Sequence, residues 1–349
     1  MANKRVFFGC YAIGIARDGS STFTPIHGAQ SVGINTSFNL EQVFEIGQTN
    51  IYQNIENVPD IEATIEKVLD GYAPVYILAT RDGTSASLTG RGTASCQLAM
   101  SIFGDTTDAA SGVPLKQVTM SGLFPSQVSY TFPTEGNCTE SVTLVGNNKI
   151  WKSSSFDFTG TLFNNQDQPL ALGPPNSGGV NRRQNVIFGT LTDTILPAGQ
   201  FGGVPGISNS GTNDKGSDGQ YGTHVSQISV SANLGRTPLY ELGRRAPYFR
   251  YLDFPIEVTT EISVIAIDGD SVSANSDGVI PGSGSNIADK TIAVKLQEGL
   301  YIDLGTRNKL STVSMSDANA TGGNMALTYN YSTFNYLRVT HPQDASSLA

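Results

Sequence analysis

The chain has 349 residues, of which 15% are charged, and a net charge of −9. That balance argues against a protein that grips nucleic acid through many phosphate contacts, while leaving room for one that lets nucleic acid slide past. With 38 glycines, abundant Ser, Thr and Asn, and almost no Leu-Ala-Glu-Lys stretches, the composition points to an all-β or β-dominated fold.

The N-terminal stretch MANKRVFFGCYAIGIARDG places Lys4 and Arg5 before an apolar run from Val6 to Ala16. It has the outline of a short secretory leader, but we read it as a strand. No later segment is long and apolar enough to span a bilayer, so we expect no membrane partner and assembly from a cytoplasmic pool. QSVGINTSF alternates Val32, Ile34, Thr36 and Phe38 on one side, the pattern of a half-buried strand. In VPDIEATIE, Glu62, Thr64 and Glu66 share one strand face, opposite Ile61, Ala63 and Ile65. GYAPVYILAT is the candidate for a short helix. SQVSYTF, PTEGN and CTESVTL read as strand, turn and returning strand, with Val128, Tyr130, Phe132, Val142 and Leu144 inward. Trp151 ends that run and is expected to pack.

From Lys152 to Gln220 the chain is rich in Gly, Asn, Ser and Pro. A structureless linker of this length is unusual inside a domain, so a surface-spanning arm is expected, with NVIFGTLTDTILPAG as a short strand or extended piece. HVSQISVSANL then alternates Ser226, Ile228, Val230, Ala232 and Leu234. FPIEVTTE sets Glu257, Thr259 and Glu261 on one face. DGDSVSANSDG reads as a turn. MALTYNY followed by YLRVTH is expected to be a second hairpin.

Several blocks recur in one order, about 195 residues apart. Asn39-Leu40 is echoed by Asn233-Leu234, and Glu45-Ile46-Gly47 by Glu241-Leu242-Gly243. Ile61-Glu62 returns as Ile256-Glu257, LKQVTMS as LSTVSMS, and Tyr130 and Phe132 as Tyr329 and Tyr331. These echoes predict two tandem β-sandwich or barrel domains. We place an N-terminal strand or arm at 1–20, the first domain at 21–151, the arm at 152–220, the second domain at 221–342 and a tail at 343–349. Each domain offers a carboxylate row, Glu62 and Glu66 in one and Glu257 and Glu261 in the other. Such rows are either a solvated outer face or the lining of a shared channel.

The sequence carries no sign of catalysis, metal or cofactor. Cys10, Cys96 and Cys138 form neither a disulfide framework nor a C-x-x-C pair and read as reduced thiols. His27, His224 and His341 fall in no ligand spacing and read as surface or turn residues. GSGSN lacks the strand-to-helix context of a nucleophile elbow, and GGVPG lacks the Lys and Ser/Thr of a phosphate loop.

SVGINTSFNLEQVFEIGQTNIYQNIENVPDIEATIEKVLDG and SQVSYTFPTEGNCTESVTLVGNNKIW resemble bacteriophage tail tube proteins. RRAPYFRYLDFPIEVTTEI and MALTYNYSTFNYLRVTH continue the resemblance in the second half. It implies a structural virion protein of the tail. Its subunits form rings around a lumen, stack head to tail and conduct DNA on ejection. The expected partners are the chain itself, tape measure, baseplate and terminator proteins, and in contractile tails a sheath. Rings in this family are usually sixfold with one domain per subunit, so two domains per chain imply a trimeric, pseudo-sixfold ring. An acidic lumen would repel phosphates, which makes Glu62, Glu66, Glu257 and Glu261 the lining candidates. Arg182 and Arg183 in the arm are the candidates for contacts between rings or with a sheath. Other ring-forming tail components, such as a distal baseplate protein or a terminator, and a carbohydrate-binding β-sandwich are the rival readings.

Overall fold

Antiparallel strands account for most of the architecture of the computed structural model, which describes residues 6–104, 113–159, 179–187, 225–265, 289, 291–316 and 324–344. Strands β1 (Tyr11–Arg17) and β2 (Thr24–Pro25) come first. They are followed by β3 (Ala29–Ser37), the hairpin β4 (Leu40–Phe44) and β5 (Ile51–Glu56), and β6 (Asp60–Val68). Two short helices, α1 (Val75–Ala79) and α2 (Leu88–Arg91), lead to β7 (Cys96–Ile102), β8 (Lys116–Pro133), β9 (Thr139–Gly146) and β10 (Asn148–Lys152). Helix α1 lies inside the stretch read as a short helix.

The arm contributes β11 (Val186–Ile187). The second half holds β12 (Val225–Asn233), the hairpin β13 (Arg236–Leu239) and β14 (Phe249–Leu252), and β15 (Glu257–Ile265). Then come β16 (Ala293–Leu296), β17 (Tyr301–Asp303), β18 (Lys309–Ser316), β19 (Ala326–Phe334) and β20 (Arg338–Thr340). The stretches DGDSVSANSDG, GSGSN and GGVPG, most of NVIFGTLTDTILPAG, and His224 lie outside the described residues.

Strand β8 is 18 residues long, well beyond the usual strand, and it serves two sheets. Its first half pairs with β7 and β10, and β7 continues to β1 and β2. Its second half pairs with β9 on one side and β12 on the other. The change falls at Gly122, where φ is +62°, and at Pro125, which has no N–H to give a ladder and sits beside a register shift.

The result is a continuous run of strands in the order β3-β6-β9-β8-β12-β15-β19-β18. Alternation decides its faces. Ile61, Ala63 and Ile65, Val128 and Tyr130, Val142 and Leu144, Ile228 and Val230, Val258 and Ile262, and Tyr329 and Tyr331 are all buried on the core side. Each fully buried aliphatic or aromatic side chain there contributes about 1.5–3 kcal/mol. Helix α1 and the small sheet β11-β16-β17-β20 supply further residues to the same core, among them Ile77, Leu296 and Ile302.

The run consists of two matching groups. β3, the β4–β5 hairpin and β6 reappear as β12, the β13–β14 hairpin and β15. The order β3-β6-β9-β8 is repeated by β12-β15-β19-β18. Irregularities repeat as well. The shift between Ala29 and Ser31 in the β3–β6 ladder recurs between Val225 and Gln227 in the β12–β15 ladder. The shift between Pro125 and Gln127 recurs between Leu310 and Thr312. A bulge is a one-residue insertion that bends a strand, so its recurrence sets the strand correspondence residue by residue.

That correspondence differs from some of the sequence echoes. LKQVTMS lies in the first half of β8, whereas LSTVSMS is in β18, the counterpart of the second half of β8. Tyr130 stands on β8, but Tyr329 and Tyr331 stand on β19, the counterpart of β9. The second hairpin is β18–β19. YLRVTH does not fold back on MALTYNY, because β20 pairs with β17. Asn335 turns the chain away at φ +60° while exchanging two hydrogen bonds with the backbone of Ile256. Trp151 is 56% exposed rather than packed, and His341 is buried rather than at the surface. Cys10, Cys96 and Cys138 are free and buried.

A buried polar network organises the first half and reaches the second through Asn181. Lys67, fully buried, donates to Asp70 at 2.5 Å and to the carbonyl of His27 at 2.6 Å. Glu140 accepts from the amides of Val75 and Tyr76 and from the Tyr130 hydroxyl. Burial still pushes its carboxyl above the ordinary range. Asn181 donates through its side chain to Glu298 in the second half, and its backbone bonds Leu69 and Cys138 in the first.

Burial raises Glu298 to about 7 and lowers His341 to about 4. The folded chain therefore holds the Glu298 proton more tightly than the unfolded chain, so this group's contribution to stability falls as pH rises from about 4.5 to 7. His341 acts in the opposite sense, adding stability as pH rises from about 4 to 6.5. We predict that Glu298→Gln gains on the order of 2 kcal/mol relative to the wild type between pH 4.5 and 7, read from urea denaturation across that range. Parallel profiles would contradict it.

Candidate functional site

The middle of the long sheet's face opposite the core is built of short polar side chains, with the apolar Val145, Ile265 and Phe334 nearer its margins. One cross-strand row runs Ser31, Glu66, Ser141, Ser129, Ser231, Thr259 and Ser332. A second runs Thr139, Thr131, Ser229, Glu261, Asn330 and Thr312. Neighbours bond across the ladder: Ser31 to Glu66 at 3.2 Å, Ser231 with Thr259 at 2.7 Å, and Asn330 to Thr312 at 2.9 Å. Such pairs stabilise a sheet modestly and leave its surface smooth and wet.

Glu62, Glu66, Glu257 and Glu261 are all exposed on this face, as period-two alternation predicts. Glu62 and Glu66 stand on β6, Glu257 and Glu261 on β15, with β9, β8 and β12 between them. Among the described residues none of the four forms an ion pair with a cation. Lys67, next in sequence to Glu66, points into the core. The two rows contain Glu66 and Glu261; past Ser332 the first row reaches one cation, Lys309 at the start of β18, which pairs with Asp289 at 2.9 Å, so the rows as a whole repel anions.

Arg182 and Arg183 lie away from this face. They are exposed on a short 3-10 turn at Arg183–Asn185, and Arg182 Nε donates to Asn137 Oδ1 at 3.1 Å. The segment carrying them is clasped to both halves, by Asn181 as above and by β11 pairing with β16.

The paired hairpins are the feature that residue-by-residue reading passed over. At their tips Ile46 and Leu242 are fully exposed, each followed by a glycine with positive φ, Gly47 at +96° and Gly243 at +87°. The echo of Glu45-Ile46-Gly47 in Glu241-Leu242-Gly243 was the available signal. Their surroundings differ. The second hairpin lies against the first half of the chain. Arg236 donates to the carbonyls of Pro125 at 2.7 Å and Gly92 at 2.5 Å, with its guanidinium 5.3 Å from the Phe124 ring centre. Arg250 reaches Asp60 at 2.8 Å and Asn147 at 3.0 Å. In the first hairpin Leu40, Phe44, Ile51, Tyr52 and Ile55 are all exposed.

No family model and no curated protein matches the chain. Solved structures give partial likenesses. A chain of the anti-feeding prophage baseplate has a TM-score of 0.34 and 11% identity, covering 44% of this chain and 98% of that one. A chain of the sheath–tube complex of the extracellular contractile injection system PVC, in its extended state, has a TM-score of 0.33 and 14% identity, covering 44% of this chain and 95% of that one. A chain of the sheath/tube terminator of the same system has a TM-score of 0.32 and 18% identity, covering 44% and 99% respectively. The functional reading therefore has to come from the strands and their faces.

Burial lowers the Arg236 guanidinium to about 10, and its hydrogen bonds to the carbonyls of Pro125, Gly92 and Arg250 are what keep it in place. Arg236→Ala should cost about 2–4 kcal/mol through those lost bonds. Leu40→Ala, at a residue 63% exposed, should cost less than about 0.5 kcal/mol in the isolated chain. Urea denaturation of both variants checks the contrast between the hairpins.

Proposed function

We propose that the chain is a tail tube subunit of a phage-like particle. In this reading three chains close a pseudo-sixfold ring, rings stack into a tube, and the polar sheet face lines a lumen that conducts DNA. The observation that carries it is the merger of two matching four-strand groups into one sheet through β8 and β12. A chain that already joins one group to the next edge to edge contains two consecutive wedges of a ring. Repetition of the same join between chains gives a closed assembly without exposed edges, and head-to-tail stacking of such rings extends without limit.

The face suits that passage. Its hydroxyls are short, and among the described residues its four carboxylates form no ion pair with a cation. Across β6, β9, the second half of β8, β12 and β15 it offers no basic residue and no exposed aromatic on which bases would stack, the exceptions, Lys309 and Phe334, standing at its β18–β19 end. DNA would be repelled at short range and not retained. The sequence resemblance to tail tube proteins supports the same role. A terminator or distal baseplate ring is the alternative and differs in stopping at one ring.

Electron microscopy of the purified chain, with rotational averaging of end-on views, tests the reading. Stacked rings with an open centre and threefold symmetry are expected. Sixfold rings of whole chains would overturn the stoichiometry, single rings would favour a terminator, and discrete monomers at high concentration would count against a tube. A second expectation concerns the face itself. Replacing Glu62, Glu66, Glu257 and Glu261 by Lys should slow DNA ejection from particles at low salt, and the effect should fade as the screening length falls below about 10 Å. Unchanged ejection kinetics would show that these carboxylates do not face the passage.

A further inference from the structure

The described part of the long sheet ends in two strands with unused edges. Among the described residues β3 pairs only with β6, and β18 only with β19. Each has a counterpart inside the sheet that does have a second neighbour. β12, the counterpart of β3, is covered by β8, and β8, the counterpart of β18, is covered by β12. The internal join therefore shows the partner that each free edge lacks.

Burial records the same deficit. On β12, Ile228 and Val230 are buried, whereas Val32 and Ile34 at the matching positions of β3 are only half-buried. On β8, Val128 and Tyr130 are each 1% exposed, whereas on β18 Val313 is half-buried and Met315 is 57% exposed. These side chains point to the core side of an edge that nothing described covers. The hairpins differ in what they touch: the second packs across the internal join through Arg236, Phe249 and Arg250, while Tyr240, Leu242, Tyr248 and Tyr251 stay exposed, and the first leaves Leu40, Phe44, Ile51, Tyr52 and Ile55 exposed. On the second half, the surface such a hairpin would meet also carries exposed apolar residues, Phe334 and Tyr336.

We propose that β18 of one chain pairs antiparallel with β3 of the next, Thr312–Ser316 lying against Gly33–Ser37, in the register of the internal join. The inference rests on the ring reading and specifies its contact. Within the chain, Val128, Ser129 and Tyr130 stand opposite Ala232, Ser231 and Val230. The repeated bulges carry the first three onto Val313, Ser314 and Met315, and the last three onto Thr36, Asn35 and Ile34. Met315 therefore meets Ile34 on the core side, and Ser314 meets Asn35 on the polar side. The occupant is a second copy, because the edge that β18 fits is one built like β12, and β3 is that edge.

The test is a cysteine pair, Asn35→Cys with Ser314→Cys, oxidised under assembly conditions and run on a non-reducing gel. Directly opposed strand residues lie within disulfide range, and the native thiols are buried. A covalent ladder ending at the trimer is expected. The control Asn35→Cys with Thr312→Cys, displaced by one step along the same face, should give about tenfold less product, since diagonal neighbours are farther apart. Equal cross-linking of both pairs, or rings by microscopy without cross-links, overturns the register while leaving the ring reading intact. A chain that forms no rings under any condition overturns both. Met315→Lys adds a charge to the free edge. It should leave the isolated chain folded by circular dichroism and reduce ring formation about tenfold. Normal ring formation by that variant also overturns the proposal.

Discussion

The antiparallel ladder between the second half of β8 and β12, from Gln127 opposite Asn233 to Pro133 opposite Gln227, is the interaction on which the rest of the architecture depends. It turns two four-strand groups into one sheet with one buried face and one wet face. Because side chains alternate along each strand between bulges, the register of this one ladder sends the Ser, Thr and Glu rows to one side and the aliphatic and aromatic core, with Glu140 buried among it, to the other. A slip of one residue would invert half the molecule. The ladder also determines what is left over: once β8 and β12 are joined, β3 and β18 are the unjoined edges among the described strands.

The polar interior limits how the two halves can sit. Arg91, fully buried on α2, bonds Asp344 beyond β20 at 2.6 Å. Gln343 accepts from the amide of Ala73 beside α1. Asn181 and Glu298 add a further link between the arm and the second half. Hydrogen bonds of this kind add little net stability, but each is expensive to leave unmade, so they penalise every alternative docking of the halves. The long hairpin of β8 with β9 and β10 can therefore act as a rigid bridge between the sheet carrying β1 and β7 and the long polar face.

Much of this was legible in the sequence for one reason: alternation is a local property. The inward sets on β6, β8, β9, β12 and β15 follow directly from period-two reading, and so does the outward placing of Glu62, Glu66, Glu257 and Glu261. The repetition was visible too, but its alignment was not. Strands share a small vocabulary, so LSTVSMS resembles LKQVTMS although its structural counterpart is the Pro125–Thr131 part of β8. Loops of different length between the groups shift the spacing, and only paired bulges such as Pro125/Gln127 and Leu310/Thr312 reveal the true correspondence. Lys67 shares the inward parity of Ile61, Ala63 and Ile65, but its charge hides that, since only the fold brings the His27 carbonyl alongside Asp70 to satisfy it, and His341 lies past the end of β20, where alternation assigns no face. Trp151 was misread because its apolar character says nothing about whether β10 has a neighbour on its outer side.

Amide hydrogen exchange, compared between the isolated chain and the assembled ring, tests the central claim most directly. Amides on the open edge of a strand exchange readily, and those in a ladder are protected. Gain of protection on assembly concentrated in Gly33–Ser37 and Thr312–Ser316, with the β8–β12 ladder protected in both states, is the predicted result. Assembly that protects other surfaces while both edge strands continue to exchange would contradict it.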